Sequence, residues 1–117
     1  MVGYDFDDTV MKPLFKTWWM KGWFMYPNIR NVKIIITSRR KTWVPYFWLW
    51  IWGYRDYKIF FRKDKHYNRN ATISDKFNHI RDNNITQFVE NDEETRQKLA
   101  LLARIFHYPL TVYEPPN

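Results

Sequence analysis

The stretch Val2-Gly3-Tyr4-Asp5-Phe6-Asp7-Asp8-Thr9-Val10 decides how the rest of the chain is interpreted. It places three carboxylates within four residues, directly after a short apolar run. An acidic run of this kind is usually a solvated turn, which is the alternative here. Because apolar residues bound this run on both sides, we interpret residues 2–6 as a short buried strand whose carboxyl end carries the acids.

The composition sets limits on the class of protein. The length of 117 residues fits one domain, which we expect to span residues 1–117. The chain has no cysteine, which excludes disulfide and thiolate chemistry and is compatible with the cytoplasmic location that we expect. No secretory signal is visible. The longest apolar run, Val44 to Trp52, is far shorter than the roughly 20 residues of a membrane span.

Charge and aromatic content leave two interpretations open. The formal net charge is +7, and 21% of the residues are aromatic, including seven tryptophans. Basic residues interleaved with aromatic ones are typical of nucleic-acid binding, since cations neutralise phosphates and rings stack on bases. The alternative is that the rings fill the core and the charge only keeps a small protein in solution.

Short apolar runs alternate with amphipathic segments along the chain. The runs predict strands over residues 2–6, 32–37, 57–61, 85–90 and 110–113. The other segments predict helices over residues 42–52, 73–82 and 92–106, with a helix or an irregular flap over residues 13–26. This alternation is typical of an α/β fold whose mostly parallel sheet carries helices on both faces. We also expect Thr42 to cap the first helix. The predicted buried face of the last helix is Leu99, Leu102, Ala103 and Phe106.

Polar side chains follow three of the predicted strands, at the edge where such sheets bind ligands. They are Asp5, Asp7 and Thr9, then Thr37, Ser38 and Arg39, then Glu90, Asn91 and Asp92. Oxygen ligands without histidine or cysteine suit Mg²⁺, which commonly accompanies phosphate. Beside such a cation, one carboxylate can attack phosphorus and a second can transfer the proton. A hydroxyl and a lysine can stabilise the phosphoryl oxygens.

Four segments in chain order resemble the motifs of the haloacid dehalogenase-like phosphatase superfamily. Asp5-Phe6-Asp7-Asp8-Thr9-Val10 matches the first motif, D-x-D-x-T-[LV]. Ile34-Ile35-Ile36-Thr37-Ser38-Arg39 is similar to the second motif, an apolar strand that ends in Thr or Ser. Lys76 resembles the lysine of the third motif, and Gln87-Phe88-Val89-Glu90-Asn91-Asp92 the acidic fourth motif. The resemblance covers residues 2 to about 113.

The resemblance implies a Rossmann-like three-layer sandwich with strand order 5-4-1-2-3, and it implies catalytic roles. Asp5 would be the nucleophile and a Mg²⁺ ligand. Asp7 would be the general acid and base, with its backbone carbonyl on the metal. Thr37 would hydrogen-bond the phosphoryl group, and Lys76 would neutralise charge. The alternatives are a structural turn for the two aspartates, a strand-end hydroxyl for Thr37 and a solvated helix residue for Lys76.

The fourth motif departs from the superfamily pattern. Glu90 with its neighbours would complete the metal site, and a helix cap is the alternative for Glu90. Similar motifs usually read Asp-Asp or Glu-Asp, whereas this chain has Asn91 followed by Asp92. Either Asp92 substitutes as the ligand, or metal binding is weaker.

The chain also has no room for a large cap domain. Residues 11–31 leave space only for a flap and residues 62–72 only for a loop, as in capless members with open sites. The basic loop Phe61 to Asn70 resembles, more loosely, the phosphatase domain of phage-type polynucleotide kinase-phosphatases. We therefore expect a phosphorylated small molecule or a nucleic-acid end as substrate. The candidate substrate-binding residues are Thr9, Ser38, Arg39, Arg62 and Arg69.

Two aromatic segments leave their roles open. The predicted helix 42–52 is apolar all round, which is typical either of core or of a homo-oligomer interface. Trp18, Trp19 and Trp23 lie in the flap region, where they would stack on a base or cover the sheet. Asn91 and the Trp-rich surface motivate a second function class, a binding or assembly module that keeps the fold without strong catalysis.

Overall fold

The computed structural model describes residues 1–14, 24–63 and 68–116. Within these ranges the strands are β1 (Val2–Tyr4), β2 (Met11–Pro13), β3 (Met25–Pro27), β4 (Ile34–Arg40), β5 (Lys58–Arg62), β6 (Gln87–Val89) and β7 (Thr111–Tyr113). The helices are α1 (Val44–Ile51), α2 (Arg69–Asp82) and α3 (Glu93–Ile105). None of these described helices combines the length and the apolar composition that a membrane span requires.

Five of the strands form one sheet in the order β5-β4-β1-β6-β7, and every pairing in it is parallel. The predicted α/β class with a five-stranded, mostly parallel sheet is therefore confirmed. The observed labels differ from the expected order 5-4-1-2-3, because β2 and β3 come between the first two sheet strands in the chain and form a separate sheet. The strand that precedes the acidic stretch, β1, lies at the centre.

Strands β2 and β3 lie at the two ends of the segment predicted as a helix or an irregular flap, residues 13–26, most of which lies outside the described ranges. These strands pair antiparallel, with Lys12 opposite Tyr26. Each strand is only three residues long and contains a proline, which argues against a strand when the sequence is considered alone. The predicted roles of Trp18, Trp19 and Trp23 concern residues outside the described ranges.

The core lies on both faces of the sheet because strand side chains alternate between them. Ile34 and Ile36 point to one face and Ile35 to the other. The first cluster joins the sheet to α2 and α3 through Ile73, Phe77, Ile80, Ile85, Phe88, Leu99 and Ala103. The second joins it to α1 and the hairpin through Phe6, Val10, Met11, Met25, Val32, Leu49 and Tyr54. The molecule thus has three layers, with helices on both faces of the sheet.

The helix ends correct two expectations. Trp43, not Thr42, is the N-cap of α1, and it makes no side-chain capping hydrogen bond. Helix α2 begins four residues earlier than predicted, because Asn68 caps it by accepting from the backbone N–H of Ala71 at 3.2 Å.

The predicted buried face of α3 is confirmed for Leu99 and Ala103 and is wrong for Phe106. Phe106 is the C-cap residue, so it has left the helical repeat that defines the face. Its ring is largely exposed and stacks on Phe77 with 5.7 Å between centroids.

We predict that Leu49→Ala destabilises the protein far more than Leu101→Ala. Leu49 is fully buried between α1 and the sheet, so its truncation should cost about 2–5 kcal/mol. The same change at Leu101, which is exposed on α3, should cost no more than about 0.5 kcal/mol. Thermal or urea unfolding of the two variants checks this. Equal losses would mean that α1 does not close the second face.

Candidate active site at the carboxyl edge of the sheet

Three buried charged groups meet at the carboxyl ends of β1 and β6. The Lys76 Nζ donates to Asp5 Oδ1 at 3.0 Å and to Glu90 Oε1 at 2.6 Å. All three side chains are nearly inaccessible to solvent. Burying charge is costly unless it is paired and hydrogen-bonded. This Asp5–Lys76–Glu90 cluster therefore fixes the geometry of the sheet edge.

The register in which β1 pairs with β6 brings the two carboxylates of the cluster together. Tyr4 of β1 is paired with Val89 of β6, so the residues that follow them, Asp5 and Glu90, leave the sheet side by side. The N–H of Asp5 also donates to the carbonyl of Val89 at 2.9 Å. Lys76 reaches them because it precedes Phe77 on the side of α2 that packs against the sheet. The alternative of a solvated Lys76 is therefore wrong.

Electrostatics in the cluster are unbalanced, since one cation faces two carboxylates. Burial raises the pKa of Asp5 well above its ordinary value, and the attraction of Lys76 opposes this shift without cancelling it. For Lys76, burial acts to lower the pKa, but the charges of Asp5 and Glu90 outweigh it and the pKa is raised. Lys76 thus stays charged, and the ionised form of Asp5 is energetically costly.

Asp7 lies beside the cluster and pairs with Arg39. The guanidinium donates through Nε to Asp7 Oδ2 at 2.8 Å and through Nη2 to Oδ1 at 2.7 Å. This hydrogen-bonded contact raises the pKa of Arg39. The Arg39 guanidinium also lies over the ring of Phe6, 5.8 Å from its centroid. Bidentate pairs of this kind are among the stronger charge contacts in proteins.

A cleft of about 380 Å³ opens above the cluster. Its lining consists of Asp5, Asp7, Asp8, Ser38, Arg69, Lys76, Glu90, Asn91, Asp92 and Thr95. Five of these residues are acidic and two are basic. The cleft is therefore acidic although the chain as a whole carries a net charge of +7.

Two of the predicted substrate-binding residues, Ser38 and Arg69, line this cleft, and Arg69 also forms an ion pair with Glu94. Arg39 reaches its rim through Asp7. Thr9 and Arg62 are not among the described lining residues. The side chain of Thr9 is fully buried, and Arg62 lies at the end of β5 in register with Arg40.

Thr37, a predicted catalytic residue, is buried at the carboxyl end of β4 and is likewise not among the described lining residues. Its Oγ1 accepts from the backbone N–H of Arg39 at 3.2 Å. In this arrangement the hydroxyl supports the turn that carries Arg39.

The sequence interpretation assigned no role to Asp8 or Thr95, although both line the cleft. Asp8 has a positive φ of 60°, which turns the chain sharply within the first motif. Because Asp8 belongs to the same acidic stretch as Asp5 and Asp7, its place in the cleft could have been predicted from the sequence. Nothing in the local sequence marked Thr95.

The helix cap after β6 is Asp92, so the alternative of Glu90 as the cap is wrong. Asp92 Oδ2 accepts from the Thr95 backbone N–H at 3.0 Å and from its hydroxyl at 2.6 Å. The hydroxyl contact lowers the pKa of Asp92. Glu90 instead accepts from Lys76 and, through Oε2, from the N–H of Asp92 at 3.4 Å.

The residues expected to hold Mg²⁺ fit that ion in donor type but not in arrangement. They offer oxygen atoms only, and the acidic cleft has an excess of negative charge. Yet Asp5 and Glu90 contact Lys76, Asp7 contacts Arg39, and Asp92 caps α3. Among the described residues, no three acids or histidines stand together as a ready set of metal ligands. A cation here would require at least one of these carboxylates to change partners.

Comparison with known proteins adds no relative. No family model matches the chain, and neither the curated proteins nor the solved structures give a match. The assignment of a function therefore depends on the motifs and on the geometry of the cleft.

We predict that Asp5→Asn stabilises the protein at pH 8 in metal-free buffer. The pKa of Asp5 is raised in the folded state, so the stability that it contributes is complete below its ordinary value and is lost as the pH rises through the raised value. The advantage of the asparagine should therefore shrink as the pH falls towards about 4. Thermal melts from acid to alkaline pH, with a chelator present, measure it.

The control for this experiment is Asp82→Asn, which removes an exposed carboxylate at the end of α2. It should change the stability by less than about 0.5 kcal/mol over the same range. An Asp5→Asn variant that is less stable than the wild type at every pH would show that the carboxylate is a structural partner whose ionised form supports the fold.

Proposed function

We propose that this chain is a Mg²⁺-dependent phosphatase of the haloacid dehalogenase-like type, with a Rossmann-like sheet and no large cap domain. It would hydrolyse phosphomonoesters through an aspartyl-phosphate on Asp5. The observation that carries the proposal is the buried Asp5–Lys76–Glu90 cluster at the floor of an acidic cleft. A fold gains little from an excess buried carboxylate, so its presence beside a cleft favours a chemical role.

In the first step a carboxylate oxygen of Asp5 attacks the phosphorus atom, and the bond from phosphorus to the leaving oxygen breaks. The leaving oxygen takes a proton from Asp7. In the second step water attacks the phosphorus, Asp7 accepts a proton from that water, and the bond to Asp5 breaks. Inorganic phosphate leaves, and both carboxylates return to their starting states.

Lys76 has a defined part in these steps. Its ammonium group contacts the Asp5 carboxylate at 3.0 Å and remains charged, so it holds the nucleophile in one orientation. Glu90 keeps the lysine in place from the other side at 2.6 Å. When the phosphoryl group is transferred, the same ammonium stabilises the charge on its oxygens. A bound Mg²⁺ would supply Lewis-acid stabilisation of those oxygens, with Asp5, Asp7, Glu90, Asn91 and Asp92 as the candidate ligands.

Arg39 must release Asp7, and the freed carboxylate must take up a proton from solvent, before Asp7 can give a proton to a leaving group. In the bidentate pair both carboxylate oxygens accept from the guanidinium, and an ionised carboxylate is not a proton donor. A phosphoryl group offers the same planar edge of oxygen acceptors as a carboxylate. We therefore propose that Arg39 transfers from Asp7 to the substrate phosphate when the substrate binds, which couples binding to the freeing of Asp7.

The proposed substrate is a nucleotide or a terminal phosphate of a nucleic acid, encountered in the cytoplasm. The net charge of +7 attracts polyanions, and Ser38 and Arg69 line the cleft beside Asp5. If ionic attraction draws nucleic acid to the protein, raising the salt concentration to about 0.3 M weakens binding markedly. Binding that is insensitive to salt would remove this argument for a nucleic-acid substrate.

We predict that the wild type hydrolyses a generic aryl phosphate in the presence of Mg²⁺, and that a chelator abolishes the activity. Asp5→Asn should lose all measurable turnover, because an amide oxygen cannot serve as the nucleophile. Asp82→Asn, which alters an exposed carboxylate of α2, is the matched control and should retain full activity. Activity that survives in Asp5→Asn would exclude the aspartyl-phosphate mechanism.

A binding or assembly module without strong catalysis is the second candidate. It is favoured by one observation, namely that the described acids do not stand as a ready set of metal ligands. Melting curves with and without Mg²⁺ separate the two functions, because a ligand that binds only the folded state raises its melting temperature. A phosphatase should respond to Mg²⁺ in the wild type and less in Asp5→Asn. A module that has lost the site should respond in neither.

A further inference from the structure

Helix α1 presents a stripe of large apolar side chains to solvent. The residues of this outward α1 face are Trp43, Tyr46, Phe47, Trp50 and Ile51. Their spacing is i, i+3, i+4, i+7 and i+8, which is the pattern by which a helix packs against another element. Yet each of them is between 40% and 72% exposed. The buried residues of the helix, Pro45 and Leu49, lie on its opposite, inward side.

The outward α1 face is one continuous aromatic surface. Phe47 is at its centre, with its ring centroid 5.7 Å from that of Trp43 and 6.5 Å from that of Trp50. Tyr46 extends it to Phe61 at the end of β5, at 5.7 Å. Because the rings contact one another, little side-chain entropy should be lost on association.

The size of the outward α1 face suits a protein partner. Aromatic side chains present roughly 150–250 Å² each, so the observed exposure amounts to on the order of 600 Å² when Trp52 is included. The largest apolar patch of an ordinary monomer covers about 300–600 Å², so this surface lies at the upper end of that range. Two such faces together bury about 1,200 Å², the lower end of the range for specific, stable interfaces.

We propose that the outward α1 face is the interface of a symmetric homodimer, in which α1 of one copy packs on α1 of a second copy. The inference does not depend on the proposed phosphatase reaction. An isologous interface requires a surface that matches itself, and a stripe of rings with no charged residue meets this condition. Pairing the helices would bury no unpaired charge. Among the described residues, the other exposed apolar pair on a helix is Leu101 and Ile105 on α3, a smaller surface.

Net charge gives the homodimer a distinctive salt dependence. Two copies that each carry a charge of +7 repel at long range, and at physiological ionic strength this repulsion is screened beyond about 8 Å. Raising the salt concentration should therefore strengthen the association. A nucleic acid stacked on the same rings would instead be released by salt.

We expect sedimentation equilibrium to give about twice the monomer mass of 14.7 kDa for the wild type at concentrations of about 10–100 µM. Trp50→Ser should weaken the dimer at least about 100-fold, as expected for a tryptophan that an interface buries. Its side chain is exposed, so the monomer should keep its melting temperature. The matched control, Ile105→Ser, removes another exposed apolar group, on α3, and should leave the dimer intact.

A cross-linking experiment tests the symmetry, since the chain has no cysteine of its own. In a symmetric pairing of α1 helices, Phe47→Cys lies near the two-fold axis and should form a disulfide between copies, whereas Ile105→Cys should not. The proposal is overturned if the wild type is monomeric over the whole range. It also fails if Ile105→Ser, rather than Trp50→Ser, dissociates the dimer, or if only the Ile105→Cys variant cross-links. A monomer that binds anionic vesicles through Trp50 would identify a lipid surface as the occupant instead.

Discussion

The ammonium group of Lys76 lies between two buried carboxylates and joins α2 to the carboxyl ends of β1 and β6. A buried charge that loses its partner costs several kcal/mol, so Asp5, Lys76 and Glu90 must stay within hydrogen-bond distance of one another. This requirement fixes the register of β1 against β6 and the position of α2 over the sheet. It also places the acidic cleft at the single edge where the three elements meet.

The charge of the cleft is opposite in sign to the net charge of the protein. The chain is strongly basic, yet the cleft above the cluster is acidic. The long-range field draws anions to the protein, whereas the cleft by itself attracts cations. A phosphate that enters must find cations within the cleft. Among the described residues, Arg69 and Lys76 line it, and Arg39 contacts Asp7 at its rim. Asp7 holds the Arg39 guanidinium. A phosphate that binds this arginine would therefore separate it from Asp7.

The sequence predicted the central features because they depend on local patterns. The β-branched run Ile34-Ile35-Ile36 identified a buried strand, and the polar residues after three strands identified the edge where the site lies. The hairpin of β2 and β3 was missed because two three-residue strands with prolines carry no strand signal. The contacts between the side chains of the site could not be predicted from the sequence either. The pairing of Asp7 with Arg39 joins residues 32 positions apart, and no local rule fixes a contact over that separation.

The burial of α1 illustrates the same limit. A helix that is apolar all round has no period that tells its inner side from its outer side, so the sequence left both core and interface open. Only the tertiary structure separates Leu49, which faces the sheet, from Trp50, which faces solvent. Lys76 is the converse case. A lysine beside Phe77 on a helix is ordinarily solvated, and it is the carboxylates of two distant strands that hold it inside.

The most direct test for an aspartyl-phosphate on Asp5 is to trap the phosphoryl group on the protein. Wild type, Asp5→Asn and Asp7→Asn would be mixed with an aryl phosphate and Mg²⁺, quenched in acid and mapped by peptide mass spectrometry. The wild type should give a phosphorylated peptide with the modification on Asp5. It should accumulate in Asp7→Asn, where hydrolysis of the intermediate is slowed, and be absent from Asp5→Asn. A phosphoryl group on another residue, or turnover that never labels the protein, would contradict this mechanism.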